Sequence, residues 1–104
     1  MIHSHLNVFE HTVEITNNWL NDVLARLAWR DQQRAYRALR AVLHAVRDRL
    51  AVDDAAHLSA QLPMLVRGIY YEGYHPSGKP VAERRKSQFL AHVKREFPDE
   101  GFEI

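Results

Sequence analysis

The sequence predicts an all-α protein, a compact bundle of four to five helices. Three observations predict it. No glycine or proline occurs before Pro63, so the longer part of the chain lacks strong breakers. Apolar residues recur there at intervals of three and four. Residues suited to capping stand where each periodic pattern begins. The expected helices cover 7–28, 31–50, 53–61, 63–72 and 81–97.

The first helix opens at Asn7. Asn7 and Glu10 have the spacing of a capping box, in which each side chain serves a free backbone N–H of the first turn. Phe9, Val13, Leu20, Val23, Leu24 and Leu27 fall on one stripe, with Thr16 in register. That stripe is the expected core face. Trp19 flanks it and covers its edge.

The second helix follows Asp31, a good N-cap. Tyr36, Leu39, Leu43, Val46 and Leu50 form a 3-4-3-4 seam. Ala35, Ala38, Ala41 and Ala45 line a second side, where small residues let a neighbour approach closely. Arg37, Arg40, His44 and Arg47 share a third, expected to be solvated or salt-bridged. A helix with an apolar seam and an alanine face belongs at the centre of a bundle.

Asp53 is placed to cap a short third helix. Pro63 suits the first turn of a fourth, where its missing N–H goes unused anyway. The fourth helix carries Leu65, Val66, Ile69 and Tyr70. Gly68 inside it costs about 1 kcal/mol against alanine, so a close neighbour is expected there. Gly73 reads as a left-handed stop, with Tyr74 folding back on Ile69. HPSGKP is a turn-rich loop. A fifth helix then carries Phe89, Leu90, Val93 and Phe97. Its polar opening, AERRKSQ, is the part expected to fray. FEHTV at Phe9 and FLAHV at Phe89 share the spacing of phenylalanine and valine, a short internal echo.

A chain of 104 residues with 46% hydrophobic content suits a single domain with one core. Fourteen basic against 13 acidic residues give a net charge of +1. That balance argues against a dedicated nucleic-acid or anionic-membrane protein. The absence of cysteine excludes disulfides and thiolate metal sites. The N-terminus lacks the pattern of a secretory signal, and no apolar run is long enough for a membrane helix. A cytoplasmic address is expected.

AYRALRAVLHAVRDRL, DDAAHLSAQLPMLVRGIYYEGYHPSGKP and FLAHV together resemble the bacterial family known as domain of unknown function 2267. The most specific pieces are QLP at Gln61–Pro63 and YYEG at Tyr70–Gly73. The resemblance spans roughly Phe9 to Phe97. It implies an all-helical cytoplasmic protein, often built of two related halves, with no established catalytic residues. On that pattern the chain is a single half plus the opening helix of a second. It is either a short form or the N-terminal portion of a longer protein. The apolar ridge Phe89, Leu90, Val93, Phe97 and Phe102 then folds onto the first four helices or pairs across a homodimer, because a bare ridge is rarely tolerated.

Candidate chemistry is sparse. Arg67, Tyr71, Glu72, Tyr74, His75 and Lys79, with Tyr70 among them, form the densest group of functional side chains. They can bind a small anion or a partner's backbone. They can equally be helix-end packing and surface pairing. His3, behind a free amine and two backbone nitrogens, can complete a square-planar copper or nickel site. The other histidines form no dense ligand motif, and the serines stand in no nucleophile motif. The expected function is a non-catalytic interaction or self-association module. The alternative is a small-ligand or metal-binding protein using the loop at 70–79. No cofactor is expected, and nucleic acid is not an expected partner.

Overall fold

A computed structural model describes residues 7–98. Five helices account for its regular structure: α1 Asn7–Leu27, α2 Gln32–Asp48, α3 Val52–Ser59, α4 Met64–Tyr71 and α5 Lys86–Glu96. No strand occurs among the described residues. The all-α bundle is therefore as the periodicity predicts.

The α1–α2 corner is built by local chemistry. Ala28 takes a left-handed φ of 55°, and the Trp29 N–H reaches back to the Leu24 carbonyl at 2.9 Å. That bond is the long closure of a Schellman motif, made here without glycine. Three residues on, the Asp31 side chain accepts from the Gln33 N–H at 2.9 Å and starts α2.

α2 is central, packing against α1, α4 and α5. Its alanine face takes α5: Ala38, Ala41 and Ala45 meet Val93 and Phe97, with Trp29 and Phe89 at the edge. Val93 and Phe97 are only 1% and 2% exposed. Burial of such side chains stabilises by about 1.5–3 kcal/mol each. On the α1 side, Ala35 and Leu39 meet Leu20, flanked by Trp19, Val23, Leu24, Tyr36 and Leu43. The seam residues Tyr36, Leu43, Val46 and Leu50 are half-buried.

Several expectations need correction. Asp53 is not the cap of α3. Ala51 holds that position, and Asp53 and Asp54 stand in the first turn, where their charge complements the helix dipole. Pro63 likewise precedes α4 as its N-cap residue. α5 begins at Lys86, not near 81, because the chain is held elsewhere first. The Val81 N–H donates to the Asp48 carbonyl at 2.8 Å, and the Arg85 N–H to Gln88 Oε1 at 3.0 Å. Gly73 is the left-handed stop expected, with φ of 70°. Gly68 has no close neighbour: a Cβ there would meet nothing within 4 Å.

The largest departure is on α1. Its expected core stripe is buried only at Leu20, with Thr12 and Thr16. Phe9 and Val13 are 47% and 49% exposed, and Leu27 is exposed as well. α2 covers the second half of α1 around Leu20 and Leu24, and the short α4 meets the first half, where the Leu65 N–H bonds to Thr12. The first turns and the last turn of the stripe are only partly covered among the described residues.

Candidate functional site

The tyrosine-rich cluster lies where the C-terminal end of α4 meets α2. The four final carbonyls of a helix need partners from outside it. Here α2 supplies two. His44 Nε2 donates to the Ile69 carbonyl at 2.7 Å, and Arg47 reaches the carbonyls of Tyr70 and Glu72 at 2.9 and 3.0 Å. Arg40 pairs with the Glu72 carboxylate at 2.6 Å. The basic side of α2 therefore grips the negative end of α4. Of the two expectations for this face it is the salt-bridged one that holds, through Arg40–Glu72 and Arg47–Asp48, and His44 and Arg47 are buried instead of solvated.

The rest of the cluster holds α3. Arg67 donates from Nε to the Ser59 carbonyl and from a terminal nitrogen to that of Leu62, both at 2.9 Å. The Tyr70 hydroxyl donates to the Ala55 carbonyl at 2.8 Å. Burial, with help from Tyr71 and Tyr74, pushes the Tyr70 pKa up to about 12. The Tyr71 hydroxyl donates to Ser59 Oγ at 3.0 Å. Tyr74 packs its ring beneath the Arg47 guanidinium, 5.0 Å away. Its hydroxyl is buried and has no hydrogen-bond partner among the described residues. His75 is exposed and Lys79 half-buried, and neither joins these bonds. The structure thus gathers Arg67, Tyr70 and Tyr71 against α3, and sets Glu72 and Tyr74 against α2.

A second polar group was not legible in the sequence. His92, on α5, donates from Nδ1 to Glu83 at 2.5 Å. Its Nε2 lies 3.7 Å from both Asp48 and Glu96. Arg95 closes on Glu83 at 2.8 Å, and Arg47 on Asp48 at 2.8 Å. Burial opposes the Glu83 charge, but the bonds and charges of His92 and Arg95 prevail and lower its pKa. Across the same region, burial lowers the pKa of His44. The Ile69 bond opposes that fall, while Arg47 and Arg40 add to it. Only the His92–Glu96 spacing, one turn on a helix, announced any of this. Asp48 and Glu83 are brought in by tertiary packing.

These groups hold helices together. Asp48 is engaged by Arg47, and Glu83 by His92 and Arg95. Among the described residues, no three histidine, aspartate or glutamate side chains are grouped to hold a metal ion. His3 lies outside the described residues.

Part of the exposed surface is apolar. The Leu65 N–H donates to Thr12 Oγ1 at 2.9 Å, which seats the start of α4 on the N-terminal half of α1. Val8, Phe9 and Val13, close to Thr12 along α1, and Met64 and Leu65 at the start of α4 are all exposed. At the other end of α1, Val23, Leu27, Ala38, Leu39 and Val42 line a groove of about 250 Å³, with Arg26 at its edge. The expected self-association ridge is placed differently. Val93 and Phe97 lie in the chain's own core, Phe89 and Leu90 are half-buried, and Phe102 lies outside the described residues. Of the two outcomes expected for α5, the described chain has the first: α5 folds onto α2.

No helix among the described residues is long and apolar enough to cross a membrane. No curated protein matches the chain. A family model described as an uncharacterized conserved protein, DUF2267, matches residues 16–103. That span takes in the second half of α1 and all of α2 to α5. The chain therefore belongs to the family of uncharacterized conserved proteins called domain of unknown function 2267.

Proposed function

We propose that this protein is a non-catalytic helical module that works by binding protein, first of all another copy of itself. The observation that carries the reading is the bare apolar surface at both ends of α1. Phe9, Val13, Met64 and Leu65 are large side chains, and all are 40% exposed or more. Single exposed apolar residues are ordinary, but neighbouring ones rimmed by charge mark interaction sites. The engagement of Arg67, Tyr71, Glu72 and His92 in bonds between helices supports the non-catalytic part.

Sedimentation velocity over a wide concentration range tests the proposal. The expected result is a reversible shift from monomer to dimer. A single monomeric species at every concentration removes self-association from the reading.

A further inference from the structure

We infer that the layer formed by α2 and α5 binds the phosphate backbone of a nucleic acid, without regard to base sequence. This does not depend on self-association and uses a different part of the surface.

The net charge of +1 conceals a segregation that the fold creates. Residues 32–49 and 81–97 together hold ten basic side chains and three acidic ones, so the remainder of the chain is acidic. The two segments are distant in sequence yet form one layer. α5 packs on the alanine face of α2, and the Val81 N–H bonds to the Asp48 carbonyl. The balance that argues against nucleic acid at the level of composition therefore does not describe this surface.

The three acids of the layer are already engaged. Arg47 holds Asp48, and His92 and Arg95 hold Glu83. Glu96 faces His44 at 4.0 Å and His92 at 3.7 Å. By contrast, Arg37, Arg49, Arg84, Arg85, Lys86 and Lys94 make no ion pair among the described residues. Arg49 is half-buried and the other five are exposed.

These six frame α5. Arg37 lies over the Phe97 ring at 5.9 Å and Arg49 over the Phe89 ring at 5.0 Å. The two rings are eight residues apart, about 12 Å along the helix. Arg84, Arg85 and Lys86 lead into the first turn, and Lys94 stands in the last. Cations spread along a helix suit a partner whose negative charge repeats along a line. Four of the six are arginines, whose planar fork fits phosphate. No large apolar side chain of residues 81–97 is exposed, which disfavours both insertion into an anionic bilayer and an apolar protein contact.

Fluorescence anisotropy of the full chain with a labelled single-stranded oligonucleotide and a labelled mixed-sequence duplex tests the inference. Binding to at least one should be seen at about 50 mM salt and weaken at least tenfold by about 200 mM. Arg84→Glu/Arg85→Glu/Lys86→Glu should raise Kd at least tenfold and make the salt dependence shallower. Lys94→Glu should raise it several-fold. These positions are exposed, and acids suit the first turn of a helix, so circular dichroism melts should stay close to wild type. If the triple variant fails to fold, Lys94→Glu alone decides. Asn17→Glu/Asn18→Glu, on the exposed side of α1, changes the net charge as much as Lys94→Glu and should alter Kd less than twofold. An equal effect from that pair would mean that binding follows net charge and not this face. No binding to either oligonucleotide at about 50 mM salt, or binding only to polyglutamate or to vesicles of anionic phospholipid, overturns the inference.

Discussion

The His44 ring of α2 donates a hydrogen bond to the Ile69 carbonyl of α4, 25 residues later in the chain, at 2.7 Å. An imidazole here does the work of a helix cap. Its other nitrogen, Nδ1, is 4.0 Å from the Glu96 carboxylate of α5. One buried side chain thus touches three helices.

Stability should fall as pH drops below about 6.5. Burial holds the folded pKa of His44 below its ordinary 6.5, so below that pH the unfolded chain binds a proton that the folded chain refuses. Above 6.5 neither state is protonated and the term vanishes. One such proton changes stability by at most about 1.4 kcal/mol per pH unit. Glu83, its folded pKa also lowered, adds a further loss only as pH falls below its ordinary 4.5. Urea denaturation at pH 5.5 and 7.5 measures the first effect. His44→Gln should flatten it, and an unchanged slope in that variant would assign the dependence to another group.

Arg47→Met should be among the most damaging single changes. Arg47 is 4% exposed, neutralises Asp48 and serves two carbonyls of the α4 end. Removing it leaves a buried carboxylate without its partner, which costs about 3–5 kcal/mol. Arg47→Lys should recover only part, because an ammonium cannot reproduce the planar fork. The urea midpoint reports both.

Two backbone positions invite stabilisation. Ala28 holds a left-handed φ that glycine adopts freely, so Ala28→Gly should gain about 1 kcal/mol. Gly68 is helical with open space where a Cβ would sit, so Gly68→Ala should gain about 1 kcal/mol. Because the sites are independent, the gains should add in thermal melts.

Phe97→Ala should cost about 3–5 kcal/mol, since the ring is fully buried between α2 and Trp29. Near-ultraviolet circular dichroism should show the loss of tryptophan packing. A cost below 1 kcal/mol would mean that α5 is not part of the core.

Helix positions were legible because capping and periodicity are local. The Asp31 cap and the Gly73 stop act within a few residues of themselves. What failed was partner assignment. Phe9 and Val13 carry the same periodic signature as Leu20, yet burial depends on which helix arrives opposite. α5 starts later than its sequence suggests, after a loop pinned by distant groups, Val81 by Asp48 and Glu83 by His92 and Arg95. The His92 group joins α2, the loop before α5 and α5 itself, and spacing cannot reveal such a meeting. The tyrosine cluster was visible as a concentration of polar groups, but its hydrogen-bond partners were not.

α4 is only eight residues long, too short to persist alone in water. A free amide of its first turn, that of Leu65, rests on Thr12 of α1, and the carbonyls of Ile69 and Tyr70 near its end rest on His44 and Arg47 of α2. Both of its ends are thus tied to other parts of the chain. Amide exchange along α4 should therefore follow the opening of the α1–α2 pair, so that the three helices breathe as one cooperative unit.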